Sequence, residues 1–213
     1  MPLEILTIPC LTDNYAYIAH DGDTGETLVV DVPEADPIMA ALTQRGWMLS
    51  HVFLTHHHTD HVDGLDLLLK THPAKVIGAA ADAHRLAALD LAVREGDYIS
   101  IGSYRGEIMD VSGHTLGHIA LHFPEAKAAF TADSLMALGC GRLFEGSPHL
   151  MFESLTKLAA LPAQTWIYSG HEYTASNLKF ALSIEPENAR LISRGEKITV
   201  ARQADRPTVP ELL

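Results

Sequence analysis

A chain of 213 residues can bury one sizeable core, and 47% apolar against 20% charged residues is the balance of an ordinary globular protein, neither disordered nor membrane-embedded. A formal net charge of −12 speaks against sequence-independent nucleic-acid binding, which needs clustered Lys and Arg on phosphates. Two cysteines, Cys10 and Cys140, rule out a disulfide framework; with no basic-then-apolar leader at Met1-Pro2-Leu3-Glu4 and no apolar run near the ~20 residues of a membrane helix, a cytoplasmic protein without a membrane partner is expected.

From the amino end, short β-branched or aromatic runs at residues 3–8, 15–20 and 27–31 predict strands, separated by Thr12-Asp13-Asn14 and Asp21-Gly22-Asp23 turns. Residues 38–45 carry apolar positions on one helical face, and Gly46 closes that helix. A strand at 51–54 follows, then a leucine-rich helix over 64–72 ended by Pro73, a strand at 75–78 and a helix over 82–89. Strands at 98–101, 104–111, 119–123 and 128–131 come in succession. Helical spacing returns over 148–161, one more strand is read at 166–168, helices follow over 174–184 and 187–204, and Pro207 and Pro210 predict an extended tail.

The strand at 51–54 runs into Thr55-His56-His57-His58-Thr59-Asp60-His61. Alternate residues of an extended segment point the same way, so His56, His58 and Asp60 can converge while His57 faces elsewhere, and His61 opens the next element. A single histidine is more often a surface or satisfied core residue than a ligand. Imidazoles interleaved with a carboxylate, however, make a mixed nitrogen and oxygen donor set suited to zinc, iron or manganese. Three further candidates follow apolar strands and small residues: His114 in Ser112-Gly113-His114-Thr115-Leu116-Gly117-His118, Asp133 in Thr131-Ala132-Asp133, and His171 in Ser169-Gly170-His171-Glu172-Tyr173. Sites in α/β sheets gather at such strand ends.

These motifs together closely resemble the metallo-β-lactamase superfamily. Leu11-Thr12-Asp13-Asn14-Tyr15, Gly139-Cys140-Gly141-Arg142-Leu143-Phe144-Glu145-Gly146, and Gly170-His171-Glu172-Tyr173-Thr174 followed by Asn177-Leu178-Lys179-Phe180-Ala181 are similar to its hydroxyacylglutathione hydrolase (glyoxalase II) branch. The resemblance implies an α/β fold (α+β by some schemes): an αββα sandwich over residues 1–172, followed by a short helical substrate-binding region, 173–213. It implies two divalent metal ions, zinc first with iron or manganese as alternatives. One would take His56, His58 and His114, the other Asp60, His61 and His171, with Asp133 as bridge and Asp31 supporting the ligands from behind. The implied reaction is hydrolysis of an S-(2-hydroxyacyl)glutathione thioester such as S-lactoylglutathione, the second step of methylglyoxal detoxification. Its nucleophile would be a hydroxide generated between the metals and oriented by Asp60 and Asp133. His57 should point into the protein, and His118 should make a structural hydrogen bond.

Arg142, Phe144, Tyr173 and Asn177 fall where the branch holds glutathione. Arg142 keeps a positive charge where the branch has Lys, whereas Phe144 lacks the hydroxyl of the usual Tyr and reads equally as core packing. Lys179 reads equally as solvated helix surface. Asp63 adds a carboxylate beside the metals or caps the next helix, Ala132 stands where glycine is usual, and Leu213 ends the chain before a segment that supplies cationic glutathione contacts in the branch, so the helical region is expected to be truncated. A mono-iron persulfide dioxygenase, a zinc β-lactamase and a non-catalytic metal-binding module are the rival readings, and a monomer or weak oligomer is expected.

Overall fold

Strands β2 (Asn14–His20), β3 (Thr27–Val30) and β4 (His51–Leu54) are buried along almost their whole length, so both of their faces must be covered. The computed structural model, which describes residues 2–213, covers one face with a second sheet and the other with helices. The first sheet has the order β1-β2-β3-β4-β5-β6, with β1 (Glu4–Cys10) at one edge and β5 (Lys75–Ala79) and β6 (Leu91–Val93) at the other. β1, β2 and β3 pair antiparallel, and β3 through β6 pair parallel.

The second sheet has the order β12-β11-β10-β9-β8-β7. Its members are β7 (Tyr98–Ile101), β8 (Tyr104–Asp110), β9 (Ile119–Phe123), β10 (Ala128–Ala132), β11 (Trp166–Ser169) and β12 (Glu211–Leu212). Only β10 and β11 are parallel neighbours in it.

The period of two in the strands sorts the side chains into layers. Tyr17, Leu28, Val30 and Phe53 point between the sheets, where they meet Ile108, Leu121, Phe123 and Phe130. The alternate residues Ile18, Val29, Val52 and Leu54 point outward onto Ile38 and Leu42 of α1 (Ala35–Arg45) and Leu65 and Leu68 of α3 (Leu65–Thr71). On the far side, Leu158 of α4 (Pro148–Ala159) packs on Met109, Val111 and Ala120. Ser147 caps α4 by accepting the Leu150 N–H at 3.2 Å, with Pro148 in the first turn. The result is the expected four layers, helix, sheet, sheet, helix.

After β11 come α5 (Thr174–Ile184) and α6 (Ala189–Gln203), which pack on each other. Glu172 ties this region to the sandwich: its carboxylate accepts from the Tyr15 hydroxyl at 2.7 Å and from the Thr208 N–H at 2.8 Å. The tail then returns to pair β12 with β11.

The helix expected over 82–89 does not form. A 3-10 turn at Ala80–Asp82 gives way to turns because Asp82 and Arg85 spend their side chains on tertiary ion pairs, and Leu86 and Leu89 pack back on the first sheet. Strands β6 and β12, at three and two residues, were not expected, and neither was the one-turn helix α2 (Thr59–Val62). Two strand ends carry left-handed backbone on residues with a Cβ: Asp31 after β3 at φ 57° and Ala132 at the end of β10 at φ 41°.

Candidate metal centre

All seven expected donors meet at one rim of the sandwich. The strand-like alternation predicted after β4 holds through His58, then α2 turns Asp60 and His61 toward a second focus. His56 Nε2 lies 3.1 Å from His58 Nδ1, which lies 3.0 Å from His114 Nε2. On the other side, His171 Nε2 is 3.4 Å from His61 Nε2 and 3.5 Å from Asp60 Oδ2. Asp133 stands between the two groups, with Oδ2 at 3.3 Å from both His114 Nε2 and His171 Nε2.

Four of the five rings are turned inward by a bond from the other nitrogen; His58 has none among the described residues. His114 Nδ1 donates to the Arg142 carbonyl at 2.7 Å, His61 Nδ1 to Asp31 Oδ2 at 2.8 Å, and His171 Nδ1 to Asp13 Oδ1 at 3.0 Å. His56 Nδ1 meets the Thr55 hydroxyl at 3.0 Å, and that hydroxyl is committed as donor to Asp31, so the imidazole must donate. In the neutral rings Nε2 therefore carries the lone pair. Lone pairs 3 to 4 Å apart with two carboxylates repel unless a cation sits among them.

Asp133 gives the same indication from the acceptor side. Its buried Oδ1 has no hydrogen-bond partner, and a Cβ on Gly170 would overlap it. An unpaired carboxylate oxygen in a buried site is costly without a positive neighbour. Histidine and aspartate groups that could hold a metal form here as His56, His58 and His114, and as Asp60, His61 and His171. Asp31 also stands within reach of His56 and His61. Its oxygens already accept from the Thr55 N–H, the Thr55 hydroxyl and His61.

The electrostatics differ between the two foci. Burial pushes His56 well below the ordinary histidine value, with His61 and His118 adding to the effect. Burial pushes His61 the same way, but Asp133, Asp31 and Asp60 override it and raise the group to about 9. Asp133 is buried too, yet His61, His171 and His114 hold its carboxyl well below the usual carboxylate range.

The centre opens into a cleft of about 770 Å³ lined by Arg142, Phe144, Tyr173 and Asn177 together with Met136 and Cys140. Tyr173 stacks flat on His171, centroids 4.7 Å apart at 7°. Phe144 is 63% exposed, so the core-packing alternative fails; its ring meets His58 and His114 edge-on at 5.4 and 5.3 Å. Asn177 Nδ2 donates to the Ala137 carbonyl at 2.9 Å. Lys179 is exposed and does not line the cleft.

Asp63 is exposed, joins none of the candidate donor groups and caps no helix with its side chain. His57 turns from the donors to Asp82 at 3.0 Å, and His118 accepts the Asp133 N–H at 3.3 Å while stacking on His56.

Sequence reasoning missed the supports of the second focus. Asn14 Nδ2 donates both to the Asp60 carbonyl at 2.9 Å and to Asp60 Oδ2 at 3.0 Å, and Asp13 holds His171. Asp and Asn between two strands are also ordinary turn residues, which hides a second duty. The available signal was their place in the Leu11-Thr12-Asp13-Asn14-Tyr15 motif, to which no role had been attached.

Residues 13–171 match the family described as the metallo-beta-lactamase superfamily, and residues 172–213 match the one described as the hydroxyacylglutathione hydrolase C-terminus. The chain is 61% identical over its full length to a hydroxyacylglutathione hydrolase of Roseobacter denitrificans and 62% identical to one of Ruegeria pomeroyi, spanning 84% of each. Among solved structures it resembles ETHE1 from Myxococcus xanthus, with a TM-score of 0.71 and 28% identity over 81% of this chain and 76% of that one. Among the described residues no helix is long and apolar enough to cross a membrane. Fold, rim and full-length kinship agree: the chain belongs to the metallo-β-lactamase superfamily, in its hydroxyacylglutathione hydrolase branch.

Proposed function

We infer that the chain hydrolyses S-(2-hydroxyacyl)glutathione thioesters, S-lactoylglutathione among them, to the free acid and glutathione. The observation that carries this reading is the meeting of His114, Asp133 and His171 with the His56 to His61 cluster at the floor of an open cleft. The full-length likeness to hydroxyacylglutathione hydrolases favours it over the rival members of the superfamily.

His56, His58 and His114 would hold one divalent ion and Asp60, His61 and His171 the other, with Asp133 within reach of both groups. Five imidazoles and two carboxylates suit zinc and admit iron or manganese. When bound, such a pair supplies an acidified water and polarises the thioester carbonyl.

The chain's own residues do the rest. Thr55, Asp31, Asp13 and the Arg142 carbonyl fix the ring nitrogens so that the donors need not reorganise. Asn14 holds the Asp60 carboxylate in place, and Asp60 and Asp133 would aim the attacking oxygen. Tyr173 and Phe144 wall the cleft and would restrict the approach of the acyl group, while Arg142 and Asn177, in the same lining, are assigned to the polar glutathione chain. Thiolate is a good leaving group, so no side chain is needed to protonate it.

The test is one preparation loaded with zinc or with iron, assayed with S-lactoylglutathione and analysed for metal. Release of glutathione with about two ions per chain is expected. A loaded sample inert to this thioester sinks the reading.

A further inference from the structure

Outside the metal donors, His57, Asp82, Arg85 and Glu145 form a continuous ionic chain along one wall of the centre. The Asp82 carboxylate is buried, and its Oδ2 meets His57 Nδ1 at 3.0 Å. Its Oδ1 accepts from Arg85 Nε at 3.1 Å and also from Nη2. Arg85 continues to both oxygens of Glu145, through Nη1 and, at 3.2 Å, through Nη2. Glu145 Oε2 then accepts the Leu116 N–H at 2.9 Å.

Four stretches of chain are joined in this way: the turn carrying His56 and His58, the turn after β5, the loop carrying His114, and the segment carrying Arg142 and Phe144. The His114 loop comes so close that a Cβ on Gly117 would overlap the Asp82 carboxylate. Arg85, with the Leu116 N–H, holds Glu145 down to about 2.

Stability alone is a poor account of this chain. The exposed Arg85–Glu145 pair is screened by solvent and stabilises little, and desolvating the buried Asp82 carboxylate offsets most of its attraction to Arg85. What an Arg fork adds is direction, because its donors lie in one plane and grip two carboxylates at fixed angles. The object so held matters to the reaction. The Arg142 carbonyl orients His114, and the Phe144 N–H donates to the His114 carbonyl at 3.2 Å while its ring touches both His58 and His114. Among the described residues no hydrogen bond reaches Nε2 of His58, so its ring is placed by packing, with His57 on one side and Phe144 on another.

We propose that Asp82, Arg85 and Glu145 are positioning residues for the hydrolase reaction, an ionic brace that sets the Arg142 to Phe144 wall against His58 and His114 without touching substrate. None of the three lines the cleft. The proposal rests on the thioester hydrolase reading.

The test compares the cobalt(II)-loaded full chain with Arg85→Met and Arg85→Lys, measuring KM, kcat, metal content and the visible cobalt spectrum. Arg85→Met raises KM about tenfold with kcat within about threefold, shifts the cobalt bands and leaves both ions bound. Arg85→Lys restores charge without the fork and recovers only part of the loss.

Glu145→Gln keeps an acceptor for the Leu116 N–H but loses the charge facing Arg85; it must give the same signature and serves if Arg85→Met does not fold. Kinetics and cobalt bands equal to wild type, even with a lower melting temperature, overturn the brace. A wild-type protein that ignores the thioester overturns the hydrolase reading instead, and the cobalt bands of the variants still decide the brace.

Discussion

The two halves of the metal centre are held by opposite kinds of chemistry. Around Asp60, His61 and His171 the outer partners are anionic: Asp31 behind His61 and Asp13 behind His171. Around His56, His58 and His114 they are neutral, a hydroxyl and a backbone carbonyl, and His58 leans on an aromatic wall. A carboxylate behind an imidazole raises its basicity as a donor, so the two proposed half-sites should differ in grip although Asp133 is assigned to both. The Asp60 half should fill first and empty last, and the all-histidine half should be the adjustable one.

The largest expected effect removes the shared element. Asp133→Ala should lower kcat by about 10³-fold and cost at least one ion per chain, read by kinetics and elemental analysis on the same sample. If both ions stay, the bridge is not needed for either half.

Next, the two sets of supports can be set against each other. Asp13→Ala should weaken binding of the more tightly held ion by about 10- to 100-fold, measured by chelator competition. Thr55→Val, which also takes one donor from Asp31, should act chiefly on the weaker ion and by less. Equal losses would erase the distinction between the halves.

The metal-free protein offers a third comparison, through pH. His61, raised to about 9, contributes stability that is fully present below its unfolded value near 6.5 and is lost as pH rises through about 9. His56, lowered well below 6.5, behaves in reverse, since its buried neutral form contributes stability above 6.5 that is lost as pH falls. The melting temperature of the stripped protein should therefore decline between about pH 6.5 and 9, and nuclear magnetic resonance should find His61 protonated where His56 is neutral. Joint titration of the two rings near 6.5 would refute the contrast.

The smallest effect concerns the strand end that presents Asp133. Ala132 sits at φ 41°, a conformation a glycine takes without strain, so Ala132→Gly should be neutral or stabilising by up to about 1 kcal/mol in denaturant unfolding. A loss of more than that would mean the methyl group packs usefully enough to outweigh the backbone.

Much of this was legible because strand ends announce themselves. A run such as His51 to Leu54, apolar on both faces, can only be an inner strand, and the polar residues that follow it must lie at a rim. The same reasoning failed wherever side chains answered to distant partners. Asp82 and Arg85 stand at helical spacing, but the helix yields to pairs with His57 and Glu145, partners 25 and 60 positions away. Strands β6 and β12 are too short to leave a period and exist only through their neighbours. Phe144 was ambiguous between core and cleft because hydrophobicity does not say which surface a residue meets, and its exposure resolves it.

Tyr173 occupies an unusual station. Two residues past His171 and one before α5, it lies flat against the imidazole with one face and walls the cleft with the rest. Glu172, between them, is moored to Tyr15 and to the returning tail. The ring that walls the cleft and the imidazole assigned to the cation are thus a single residue apart and in face-to-face contact, so a ligand pressing on Tyr173 would press on His171 directly.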